Sequence, residues 1–268
     1  MITENLFDMA YIPNWKEQLL TLQQMALPEP WKYKVPSFER KNADNYILEK
    51  YIGAIFRQQA LCHLNTVPAK EEPTYLSVQS GYICFHTGLL STRYKSIYGF
   101  LERNRMPGRF DWYLKGFFDD GSAALRNVER LPDKPFPCFR KEPWGFCPGL
   151  EIRVNTSHIL ADTDNLLRIP ESIRAFPNLP LLLETGVEMS RRIAEIMPSI
   201  VVPQLFRGHV QYLLPISLTD PREADLAMTI TPMEGYYLAS TCLTLEMAYS
   251  NARLLARPTA PWLTALVE

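Results

Sequence analysis

The sequence predicts an α+β fold: a mostly antiparallel sheet with flanking helices, and a C-terminal four-strand meander followed by a helix. Three observations carry this reading. Apolar residues recur at helical spacing over 42–64, 181–197 and 244–257. They alternate with period two from Thr74 and again after Ile200. The turns after Ile200 are so short that the strands they join must be antiparallel neighbours. The expected organisation is one domain over 1–268, or two lobes joined by the proline-rich loop 131–149.

Each element follows from its residues. A first helix, Asn14 to Leu27, sets Leu19, Leu20, Leu22 and Met25 among polar residues and stops at Pro28 and Pro30. A second, Asn42 to about Leu64, repeats Leu48, Tyr51, Ile52 and Ile55 at helical spacing. Leu76 and Val78, then Ile83 and Phe85, alternate around a Gln79-Ser80-Gly81 turn, and Phe110, Trp112 and Leu114 follow Pro107-Gly108. The stretch 131–149 holds five prolines and two glycines, too many for a regular element, and reads as a lid or junction. Leu181 to Met197 is helical, with Glu188, Arg191 and Arg192 spaced as a solvated ion-pair face. Strands are expected at 200–206, 209–218, 224–230 and 236–242, then a helix from Thr244 to Arg257 before Pro258 and Pro261.

Composition narrows the function classes. A chain of 268 residues can bury ~70–75% of its unfolded surface, so a self-sufficient core is expected, and 47% apolar residues with a net charge of −1 exclude disorder. No basic leader precedes an apolar segment, and no apolar run reaches the ~18–20 residues of a membrane span, so a cytoplasmic protein without a membrane partner is expected. Five scattered cysteines without a CxxC read as reduced thiols, and neither metal nor cofactor is expected. Residues 1–141 carry 19 Lys and Arg against 15 Asp and Glu, a balance of +4; residues 142–268 carry 9 against 14, a balance of −5, and all nine cations are arginine. The net charge of −1 lacks the global basic field of a non-specific duplex binder, so any nucleic-acid contact must be local.

The glycines form no GxGxxG, GxxxxGK or GxSxG, and HExxH is absent, which argues against Rossmann, P-loop, α/β-hydrolase and zincin chemistry. Three constellations remain. Glu246, Ser250, Arg253 and Arg257 form one polar stripe of the last helix, beside Asn251; its Glu and Arg residues could bind an anion and accept a proton, or simply form a solvent face. On this stripe Arg253 is exposed, and Arg253→Ala is expected to leave the fold intact. Asn155 and His158 share a face if helical, with Arg168 from the next segment, a kit for acid/base work beside a phosphate. Phe85-His86-Thr87-Gly88 runs a strand into a glycine, where exposed amides could cradle a ligand or merely form a turn.

The series Phe85-His-Thr-Gly-Leu89, Asn155-x-x-His158, Arg168-Ile-Pro170, Val202-Pro-Gln204, Tyr212-Leu-Leu-Pro215 and Leu243 to Arg253 resembles a bacterial domain-of-unknown-function family found beside cold-shock and OST-HTH (LOTUS-type) RNA-binding modules. The likeness runs from Ala10 to Trp262. In that family Asn usually stands at the position of His86, Asp at Glu246 and Asn at Ser250. The resemblance implies an RNA or nucleotide context and no reaction.

The first expectation is therefore a nucleotide- or RNA-acting enzyme, a hydrolase or transferase of phosphodiester or nucleotidyl chemistry. His158 and Glu246 would be its catalytic groups, and Asn155, Arg168, Asn251, Arg253, Thr87, Gly88 and Gln204 its substrate-binding residues. The alternatives are a non-catalytic binder of RNA or a small nucleotide, with Trp112 and Tyr113 stacking bases, and a structural partner-docking protein.

Overall fold

The computed structural model describes residues 2–34, 45–65, 73–106, 108, 110–134, 145–206 and 209–267. Pro107, Cys138, the Arg207-Gly208 turn, the start of the expected 42–64 helix and the centre of the proline-rich loop lie outside the described residues. The fold is α+β. The chain divides into two compact units, Met1–Lys32 with Pro36–Lys141, and Tyr33–Val35 with Glu142–Val267. Among the described residues no helix is long and apolar enough to cross a membrane.

The first unit holds α1 (Leu6–Met9), β1 (Ala10–Tyr11), α2 (Trp15–Met25), α3 (Tyr46–Asn65), β2 (Leu76–Val78), β3 (Tyr82–Leu90), β4 (Ser96–Arg103) and β5 (Trp112–Asp119). Its sheet has the order β1-β5-β4-β3-β2. Strands β2 to β5 form an antiparallel meander, and β1 adds in parallel through Ala10 opposite Trp112 and Tyr11 opposite Tyr113. The expected hairpin around 79–81 is there; β4 escaped the sequence reading. Its residues Ile97, Tyr98, Phe100 and Leu101 are all buried, so the strand is a continuous apolar run without alternation.

Helix α3 buries Ile47, Leu48, Tyr51, Ile52, Ile55, Phe56, Gln59 and Ala60, a helical stripe, and packs against β3. The Phe85 ring meets Phe56 edge-on at 5.2 Å. It also lies across Gly99, where an added Cβ would come within 2.2 Å of the ring, so only glycine fits opposite it.

At His86 strand β3 runs past the end of β2, whose last partner is Phe85, and the register against β4 slips between His86 and Leu90 around Gly88, at φ 77°. The fully buried Gln59 closes the gap. Its amide donates to the His86 carbonyl at 2.8 Å and to the Ile55 carbonyl at 3.1 Å, and its Oε1 accepts the His86 N–H at 3.1 Å.

The second unit holds β6 (Glu151–Val154), α4 (Thr156–Ala161), α5 (Thr163–Arg168), α6 (Glu171–Arg174), α7 (Leu179–Ile196), β7 (Val202–Phe206), β8 (His209–Ile216), β9 (Leu226–Pro232), β10 (Tyr236–Leu243), α8 (Leu245–Arg253) and α9 (Pro261–Thr264). Its sheet order is β6-β10-β9-β8-β7. The expected antiparallel meander and following helix are present, although α8 ends at Arg253 rather than Arg257. The pairing is mostly antiparallel as expected, but in two five-stranded sheets rather than one, and β1 and β6 each join an edge in parallel.

Strand parity gives this sheet two different faces. One carries Tyr212, Leu214, Ile216, Met228, Ile230 and Ala239 into a core with Ile159, Ile169, Leu183 and Val187 of the helices α4 to α7. The other carries Gln204, Leu213 and Thr229 beneath α8, which buries Ala248, Tyr249, Ala252 and Arg253. On α7 the expected ion-pair face forms: Glu188 accepts from Arg191 and Arg192 at 2.8 Å each. Those bonds, led by that from Arg191, hold its carboxyl down at about 2.

Gln59→Leu keeps the volume and strips both His86 backbone groups of their partner. The expected loss is roughly 2–4 kcal/mol, read from the urea midpoint, because orphaned buried donors and acceptors carry a full desolvation penalty.

Candidate functional site

Most of the polar residues singled out by the sequence are committed to holding the fold. Asn155 is the N-cap of α4, not part of it: its Oδ1 accepts the His158 N–H at 3.1 Å. The His158 ring is exposed and makes no hydrogen bond among the described residues. Arg168 donates to Asn165 Oδ1 at 3.1 Å and to the Cys242 carbonyl at 2.9 Å, while Asn165 Oδ1 also accepts the Cys242 N–H at 3.2 Å.

On the opposite face of the sheet, Asn251 donates to Gln204 Oε1 at 3.0 Å, Gln204 to Gln211 at 3.0 Å and Gln211 to Thr231 at 2.8 Å. This amide chain ties α8 across β7, β8 and β9. Glu246 lies half-buried in the first turn of α8, and its carbonyl accepts the Tyr33 hydroxyl at 2.9 Å. Arg253 is not on an exposed stripe: it is 5% accessible, because the face of α8 that carries it is pressed onto the sheet. The structure thus joins Gln204 to Asn251, and sets the sheet between α4, which carries His158, and α8, which carries Glu246.

Thr87 and Gly88 belong to the first unit and build the β3 bulge. The Thr87 hydroxyl donates to the Ile97 carbonyl at 2.7 Å and accepts the Leu89 N–H at 3.2 Å. The Gly88 N–H donates to His86 Nδ1 at 2.8 Å. Burial pushes the His86 imidazole down to about 4, with Lys134 adding to the effect and Asp133 opposing it. Burial also pushes the Cys84 and Cys242 thiols up to about 12, so both are unreactive. Among the described residues no group of three His, Cys, Asp or Glu side chains could hold a metal ion.

A further candidate site lies elsewhere, at the β1–β5 edge of the first sheet. A groove of about 520 Å³ is lined by Tyr11, Phe110 and Tyr113 together with Arg103, Arg105 and Met106. The Tyr11 ring is 6.5 Å from Phe110 and 6.1 Å from Tyr113, and its residue is 49% exposed. Alternation along β5 turns Tyr113 outward and Trp112 inward. Trp112, read from sequence as a stacking residue, is corrected to a core residue: it is 3% exposed and lies under the Arg103 guanidinium at 4.4 Å. Arg103 is further held by the Ser80 carbonyl and Asp111, whereas Arg105 is exposed and unpaired among the described residues. Phe110 went unnoticed as a site residue because it reads as part of the strand pattern Phe110, Trp112 and Leu114, and Tyr11 because it lies outside every pattern read from the sequence.

The family described as Domain of unknown function (DUF3825) matches residues 22–262. No curated protein and no solved structure matches the chain.

Two outcomes follow from this geometry. His86 has a folded pKa of about 4 against an ordinary 6.5, so the unfolded chain binds its proton more readily. The stability it contributes is complete above ~6.5 and is lost as pH falls towards ~4, about 2 kcal/mol between pH ~7 and ~4.5; His86→Asn, which keeps an acceptor for Gly88 N–H, should flatten that slope of urea midpoint against pH. Arg253→Ala should lower stability by roughly 2–4 kcal/mol in the same assay, the cost of emptying a buried charged position rather than a surface one.

Proposed function

The chain belongs to the DUF3825 family, and we propose that it binds single-stranded RNA or a small nucleotide, without turning it over, through the aromatic groove of its first unit. The groove itself carries this reading. Three aromatic rings beside a guanidinium that makes no bond among the described residues are what a base and its phosphate need: a flat apolar face for stacking, and a cation to pair with. The volume falls within the ~300–1,000 Å³ of small-ligand pockets. The likeness to a family that occurs beside cold-shock and OST-HTH modules points the same way, and a cytoplasmic RNA pool would supply the ligand.

A hydrolase reading needs His158 and Glu246 in one cleft with free amides and guanidiniums around them. Here the second sheet stands between their helices, and Asn155, Arg168, Gln204 and Asn251 are engaged by backbone or by each other. Binding is the function the geometry supports best.

The test is fluorescence anisotropy of a labelled single-stranded oligoribonucleotide on the full chain. Tyr11→Ala should weaken binding by about 1–3 kcal/mol, the worth of one base stack. Arg105→Ala should lower the slope of log K against log salt by about 0.7, the value of one phosphate contact on a single strand. Binding indifferent to both substitutions overturns the groove as the site.

A further inference from the structure

A second cavity of about 380 Å³ adjoins the first on the same unit, and Tyr113 lines both. Its chemistry differs. Asn14, Gln18 and Thr21 of the α2 end face Lys115 and Phe118 of β5, with Lys115 the one cation and Glu17 the one anion among the lining residues. Amides, a hydroxyl and an aromatic edge with balanced charge suit a sugar and base, not a free polyanion.

Strand β5 is shaped for this junction. Against β4, Gly116 pairs with Phe100 and Leu114 with Leu101, so Lys115 is the extra residue of a β-bulge, with Gly116 at φ 147° allowing the turn of the chain. The bulge keeps Trp112, Leu114 and Phe117 facing the core while Lys115 stays outside. There Lys115 Nζ meets Glu102 at 2.6 Å, and Glu102 lines the first cavity. The ion pair therefore sits at the boundary of the two cavities, on the solvent side, where exposure keeps it weak and exchangeable for a phosphate.

Resting on the groove reading above, the geometry points to two successive subsites of one strand. Tyr113 is the wall they share, and the phosphodiester between two nucleotides crosses at Lys115 and displaces Glu102 from it. The ligand class is thus a strand of at least two nucleotides, not a mononucleotide.

Calorimetric titration of the full chain with AMP and with the dinucleoside monophosphate ApA tests this. ApA should bind about tenfold more tightly than AMP, the gain of one further stack with the single phosphate held between two bound nucleosides rather than carried free at one end. In Lys115→Gln that ratio should fall towards one, and Lys115→Arg should restore it. Tyr11→Ala should weaken both ligands together. Equal affinity for AMP and ApA, with AMP binding still dependent on Tyr11, overturns the second subsite and leaves the groove reading standing. Failure of both ligands and of longer strands to bind overturns the two together.

Discussion

In each unit the fold depends on closing a backbone ladder that an edge strand is too short to finish. Strand β3 outruns β2 at His86, and β10 outruns β6, whose last partner is Ala239, before Cys242. Both places are buried, where an unpaired N–H or C=O costs about 1–3 kcal/mol. In both, a helix side chain stands in for the missing strand. Gln59 takes the N–H and carbonyl of His86, and Asn165 and Arg168 take those of Cys242. Each contact also fixes a helix on its sheet, α3 in the first unit and α5 in the second.

That solution explains why polar residues stand out in the sequence without forming a reaction centre. Asn155, Arg168, Gln204 and Asn251, read from sequence as binding residues, are hydrogen-bonding side chains that the fold itself employs. Sequence shows the chemical type of each, not whether backbone or ligand will take its hydrogen bonds. His158 illustrates the difference: its spacing from Asn155 reflects a helix cap, and its ring points into solvent.

The fold was more legible than the site, for physical reasons. The meander from β7 to β10 could be read because short turns leave only one pairing, and α7 because one face is wet. Strand β4 is apolar on both faces, and β6 is four residues long with its parallel partner far along the chain, so neither leaves a period to detect. The change from a positive to a negative charge balance at 141–142 coincides with the boundary between the units. The groove was half legible: Tyr113 could be named as a stacking residue, but its neighbour Trp112 could not be told from it until strand parity was known. Tyr11 joins the site only through a two-residue parallel pairing that no local pattern encodes.

The position of the groove follows from the same constraint as the core. β1 pairs with β5 only at Trp112 and Tyr113, so from Leu114 onward β5 too outruns its neighbour. Here a helix amide again approaches, as Gln18 Nε2 donates to the Pro13 carbonyl at 2.9 Å and reaches the Leu114 carbonyl only at 3.4 Å. In the interior the side chain completes the ladder; at this edge it continues it by one long bond and no further. Beyond it the bulge at Lys115 and Gly116 bends the strand, so the edge of β5 away from β4 faces a cavity rather than another strand. An edge blunted in this way resists strand addition while keeping outward-facing rings and a lysine accessible. A surface of that kind favours a flexible strand recognised by stacking over a partner recognised by main-chain pairing.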